Sequence, residues 1–186
     1  GSPELERRVA GARESGQPSV EILLNAPLQV GAEFYKWEVA TALAAYLLGV
    51  APFEIPAVRE SEARTAEMLE RVQTQRGLPA ATARVCEAGL ELYAEGAARQ
   101  QISTLSLADA LQTCFKLRQP DSYLALLCFL PNSARIEEDL RGLRRQLSRT
   151  LDIPVLLSFG PRYLYSLGQL YKGGPDTGLV LMLTTA

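Results

Sequence analysis

Histidine is missing from all 186 residues, which removes the side chain best suited to moving protons near neutral pH and the commonest metal ligand. Cysteine is scarce too. Cys86, Cys114 and Cys128 are far apart, show no metal-ligand spacing, and are read as reduced packing residues, two of them within apolar stretches. No apolar run approaches the roughly 20 residues of a membrane-spanning helix, and nothing resembles a signal peptide, so no membrane partner is expected and the cytoplasm is the default location. Charge of one sign is also lacking: the net charge is −2, which disfavours a generic nucleic-acid binder. With 47% hydrophobic and 22% charged residues the composition is that of a folded globular chain, not a disordered one. No internal repeat and no low-complexity linker interrupts it. Gly1-Ser2 reads as an expression scar, which leaves residues 3–186 as one expected domain, a fragment of a longer protein.

The local patterns alternate between strand and helix. Val20–Leu24, closed by Asn25-Ala26-Pro27, predicts a first strand. From Ala32 to Leu48, Phe34, Trp37, Thr41, Ala44 and Leu48 recur at helical spacing, Gly49 is placed to end the helix, and Trp37 on this apolar stripe is expected to be core. Pro52 and Pro56 keep the following stretch extended, a second helix runs from Val58 to Gln75, and Arg76-Gly77 stops it. Pro79 suits the first turn of a further helix over Ala80–Glu95. Ser106 can cap a helix carrying Leu107, Ala110, Leu111 and Cys114 on one face, and Gln119-Pro120-Asp121 breaks it. The nearly continuous apolar run Tyr123–Leu130 predicts a strand covered on both faces. Ser133 can cap the next helix, with Glu137, Glu138 and Asp139 near its amino end, and Arg144, Arg145 and Arg149 near its carboxyl end. Val155–Phe159 and Leu179–Thr184 complete four strands separated by helices, predicting a three-layer α/β sandwich with a mainly parallel sheet.

Ligands of parallel sheets sit beyond the carboxyl ends of strands, where Gly160-Pro161-Arg162 would lie. Arg162 can grip a phosphate with two parallel hydrogen bonds, Ser166 can add a hydroxyl, and Gln169 would lie one turn further along if a helix starts there. A solvated surface arginine is the plain alternative. Lys172-Gly173-Gly174-Pro175-Asp176-Thr177-Gly178 has the composition of a phosphate loop, but its glycines precede a strand instead of opening a helix, so a turn is favoured. The interleaved glutamates and arginines from Arg59 to Arg71 suit a solvated helix face, and no metal site follows from them.

Glu33-Phe34-Tyr35-Lys36-Trp37-Glu38-Val39-Ala40-Thr41-Ala42 and Leu48-Gly49-Val50-Ala51-Pro52-Phe53 resemble a segment of the phosphoglucose isomerase family. The stretch from Phe159 to Pro175 is similar to the family's Gly-Pro-Arg-Phe-Leu-His-Ser-Thr-Gly-Gln-Leu-His-Lys-Gly-Gly-Pro motif near the carboxyl end, and the likeness is greatest to bifunctional transaldolase/phosphoglucose isomerase proteins. The resemblance implies a sugar-isomerase (SIS-like) domain of carbohydrate metabolism and glycolysis, acting on a sugar phosphate such as fructose 6-phosphate without a cofactor. Within that resemblance Arg162, Ser166, Gln169 and Lys172 keep matching positions. The family's histidine falls on Tyr165 and its lysine on Glu62, with the glutamine of the same motif on Ile55. A phenol with a reference pKa near 10 substitutes poorly for an imidazole near 6.5. The family's proton-moving glutamate belongs to an earlier region and matches no residue here, so glucose-6-phosphate isomerisation by this chain alone is not expected. Two other readings stay open: a non-catalytic regulatory or interaction domain that senses a sugar phosphate or docks another domain, and an isomerase completed by another domain or a second subunit.

Overall fold

Tyr123–Leu130, the longest apolar run bounded by turn residues, becomes the central strand of a three-stranded parallel sheet in the computed structural model, which describes residues 2–78, 81–103, 106–131 and 133–185. The chain divides into two compact units, residues 1–54 and 55–186.

The first unit holds α1 (Pro3–Glu14) and α2 (Gln29–Leu48). Gly49 adopts the left-handed conformation that closes α2, as its placement predicts. At the other end of α2 the Gln29 side chain accepts from the backbone N–H groups of Asn25 (2.6 Å) and Ala26 (3.2 Å), fixing the entry of the chain. Two expectations fail in this unit. Val20–Leu24 forms no strand among the described residues, so its β-branched character finds no ladder to join. The α2 stripe is not buried: Ala45 is the one buried residue described in the unit, and Trp37 is 55% exposed, because no second apolar layer of the unit covers it.

The second unit opens with α3 (Pro56–Gln75), whose proline stands at the start, where a missing N–H costs nothing. Residues 79 and 80 lie outside the described residues. The helix expected over Ala80–Glu95 is instead a hairpin of β1 (Val85–Glu87) and β2 (Leu90–Leu92), with Val85 opposite Leu92. Its two-residue connection, Ala88-Gly89, has both residues at positive φ (52° and 78°), the twist that suits antiparallel strands. Alanine in the first of these places carries none of the usual sequence signal. Val85 is driven inside against Ile102 and Ala110, forming a small core with α4 (Gly96–Gln101) and α5 (Leu107–Lys116). Ser106 caps α5 by accepting from the Asp109 N–H (3.4 Å), and the Glu87 carboxylate accepts from the Leu107 N–H (2.6 Å), tying hairpin to helix. Cys114 packs partly into this core, whereas Cys86 is exposed on β1 and is not a packing residue as the sequence suggested; all three thiols are free.

The main sheet comprises β3 (Tyr123–Phe129), β4 (Val155–Phe159) and β5 (Gly178–Thr184) in the order β4-β3-β5. Leu124 is opposite Val155 and Leu179; Cys128 is opposite Phe159 and Leu183. Leu124, Leu126 and Cys128 point to one face, where they pack with Leu140, Leu147 and Leu151 of α6 (Ala134–Leu151), capped by Ser133 as predicted. On the opposite face Tyr123 meets Tyr171 of α7 (Gly168–Gly173), with ring centroids 6.2 Å apart, so helices flank both faces of the parallel sheet. That alternation is the period-2 geometry of a strand realised. No helix among the described residues is long and apolar enough to cross a membrane.

Candidate functional site

The carboxyl ends of the strands gather at Phe129, Phe159 and Thr184. Gly160 extends the β4 ladder by donating its N–H to the Cys128 carbonyl (2.8 Å), and the Gly160–Pro161 peptide bond is cis. Pro161 then leads into a single 3-10 turn, Arg162–Tyr165. Arg162 therefore stands just beyond the carboxyl end of β4, the place expected of a ligand contact in such a sheet. Its side chain is exposed and makes no hydrogen bond or ion pair among the described residues.

Aromatic packing holds this corner. Tyr163 meets Phe129 edge-on (6.0 Å, 83°) and lies 5.8 Å from Tyr171, which also stacks on Tyr123. The Tyr171 hydroxyl is 3.1 Å from the hydroxyl of Ser158, a buried polar residue on β4. Burial pushes the phenols of Tyr123 and Tyr163 above the ordinary tyrosine value, and the neighbouring Tyr171 phenol adds to the rise. This cluster turns the segment 161–171 into a platform whose outer residues are Arg162, Leu164, Tyr165 and Ser166, all exposed.

The residues expected to form the anion site are only partly assembled. Ser166 donates its hydroxyl to the Tyr163 carbonyl (3.3 Å), ending the 3-10 turn. Gln169, half-buried, belongs to α7, which begins afresh at Gly168, so the continuous helix that would align it with Ser166 does not form. Lys172 donates from Nζ to the Ser61 hydroxyl (2.9 Å) and so ties α7 to α3. No hydrogen bond joins Arg162, Ser166, Gln169 and Lys172 to one another among the described residues.

Lys172 and Gly173 end α7 and residues 174–177 turn into β5 at Gly178, so the glycines precede a strand and open no helix. Its glycines answer to packing: a Cβ on Gly174 would press on the Leu170 carbonyl (2.5 Å), and one on Gly178 on the Tyr123 hydroxyl (2.7 Å). Of the positions where the family resemblance places catalytic groups, Tyr165 is 95% exposed and Glu62 is exposed on α3. Neither makes a hydrogen bond or ring contact with Tyr123, Phe129, Tyr163 or Tyr171 among the described residues. Ser158 and Tyr171 escape a reading of the sequence; a serine inside an otherwise apolar strand is the one signal that could mark the pair.

In the first unit Phe34, Trp37, Glu38, Thr41, Pro52 and Phe53 line an open, largely apolar cleft of about 410 Å³ on α2. Comparison of the chain with protein-family models, with curated proteins and with solved structures returns no match.

Proposed function

We propose that residues 55–186 form a sugar-isomerase-type α/β domain, related to glucose-6-phosphate isomerases, that binds a sugar phosphate through Arg162 and does not isomerise it unaided. The observation that carries this reading is the position of Arg162: an exposed guanidinium without a partner among the described residues, one short turn past the carboxyl end of a parallel strand. Such a fork is suited to two parallel hydrogen bonds with a phosphate. Ring contacts of Tyr163, the next residue in sequence, hold the turn that carries Arg162, which keeps the ordering cost of binding low. Lys172 is instead tied to Ser61 on α3, and Glu62, next in sequence, stands where the family resemblance would have a lysine.

Absence of histidine from the sequence and the outward-facing phenol at Tyr165 favour binding over proton transfer. They also favour, as the second reading, a regulatory domain in which the turn at Arg162 senses the sugar phosphate. The deciding experiment is calorimetric titration of the chain with fructose 6-phosphate, with phosphate and fructose as separate controls. Binding that needs both halves of the ligand, and that Arg162→Ala weakens by about 1–3 kcal/mol, is the expected result. Unchanged affinity in Arg162→Ala would remove the reading.

A further inference from the structure

Charge on the exposed helices follows a rule that the carboxyl-terminal half of α6 breaks. Glu60 with Arg64, Glu67 with Arg71, and Glu137 with Arg141 each set a carboxylate one turn ahead of a guanidinium, the favourable order for such pairs. One turn ahead of Arg144 stands Leu140, ahead of Arg145 stands Arg141, and ahead of Arg149 stands Arg145. Arg144, Arg145 and Arg149 line, with Ser148 and Val155, a cleft of about 230 Å³. None of the three arginines makes an ion pair or hydrogen bond among the described residues, and Asp152, just past the helix end, pairs with none of them.

The helix dipole explains a cation in the last turn, so it accounts for Arg149. It fades within that turn, and Arg144 and Arg145 lie further from the end at Leu151. Ser148 is spoken for, since its hydroxyl donates to the Ile153 carbonyl (3.0 Å). What remains around the cleft is a set of planar donors carrying three like charges with no carboxylate among the lining residues, an arrangement completed by an oxygen-rich anion. A single phosphate group carries about −1.5 to −2 charge near neutral pH, less than three guanidinium groups balance; a diphosphate carries more charge and more acceptor oxygens, and so matches three cations better. Val155 is the first residue of β4, which sets this cleft at the amino ends of the strands, the opposite end of the sheet from Arg162.

We infer that this cleft is a second anion site, which takes the diphosphate group of a small molecule independently of the site at Arg162. The test is calorimetric titration of the full chain with pyrophosphate at fixed ionic strength, run on the wild type, on the triple variant Arg144→Gln/Arg145→Gln/Arg149→Gln, and on Arg162→Ala. All four side chains are exposed, and far-ultraviolet circular dichroism verifies that each variant folds; single Arg145→Gln replaces the triple variant should that fail. The expected result is saturable binding to the wild type, loss of at least about tenfold in affinity in the charge-removed variant, and little change in Arg162→Ala. Equal affinity in wild type and charge-removed variant, absence of saturable binding at millimolar pyrophosphate, or loss confined to Arg162→Ala would overturn the assignment.

Discussion

The ring of Phe129 occupies the space that a Cβ on Gly160 would need. Phe129 ends β3 and Gly160 directly follows the end of the neighbouring β4, and the same ring meets Tyr163 edge-on, so the glycine allows β4 to end against an aromatic wall that also supports the Arg162 turn. Gly160→Ala must displace Phe129 or the backbone, and overpacking of this kind costs about 1–3 kcal/mol. Gly142 is the control. It sits inside α6 with nothing within 4 Å of the place an added methyl would take, so Gly142→Ala should stabilise by about 0.5–1 kcal/mol through lower chain entropy and higher helix propensity. Urea midpoints of the two variants should move in opposite directions; a shared direction would contradict the contact.

Glu87 and Leu107 are 20 residues apart yet joined by a 2.6 Å hydrogen bond from the Leu107 N–H to the Glu87 carboxylate. The carboxylate also faces the positive end of α5. Glu87→Ala should cost about 1 kcal/mol, and Glu87→Gln, which keeps an acceptor but not the charge, should recover part of it. Chemical denaturation of both variants checks this, and a null effect in Glu87→Ala would show that water serves the N–H equally well.

This tie illustrates what the sequence hides. Ser133, Gly49 and the Tyr123–Leu130 run act through neighbours a few positions away, and each is found where its local chemistry places it. The hairpin at Ala88-Gly89 is unreadable locally because its stabilisation is tertiary: Val85 is 1% exposed against residues 102 and 110, and the Ala80–Glu95 stretch on its own has the spacing of a helix. The candidate site is split in the same way. Arg162 follows from the strand before it, while the place of Lys172 depends on Ser61, 111 residues earlier, and that of Tyr171 on Ser158 across the sheet face. Trp37 shows the converse, an apolar helical stripe that marks a face without saying what covers it.

Leu126 lies at the middle of β3, fully buried, within the core shared by the sheet and α6. Leu126→Ala removes packed volume from a site hemmed in by strands on both sides, where relaxation is limited, and should cost about 2–5 kcal/mol. Leu43→Ala, by contrast, removes a side chain that is 59% exposed on α2 and should cost under about 1 kcal/mol. Comparable losses in the two variants would show that α2 is packed more tightly than its exposed surface indicates.

Tyr123 and Tyr163 keep their protons to higher pH in the fold than in the unfolded chain, since burial and the adjacent Tyr171 raise both. Unfolded tyrosine releases its proton near pH 10. Above that pH the native state therefore binds more protons than the unfolded state, and the linkage relation makes stability fall as pH rises. Their contribution is complete below about pH 10 and is lost as the pH climbs through the raised native values. The melting temperature of the wild type should accordingly drop over this alkaline range more steeply than that of Tyr123→Phe/Tyr163→Phe, which keeps both rings but has no proton to lose there. Lysine and cysteine titrations are common to both proteins and cancel in the difference. Parallel curves would mean that the phenols ionise as freely in the folded chain as in the unfolded one, and that the ring cluster beneath Arg162 is open to water.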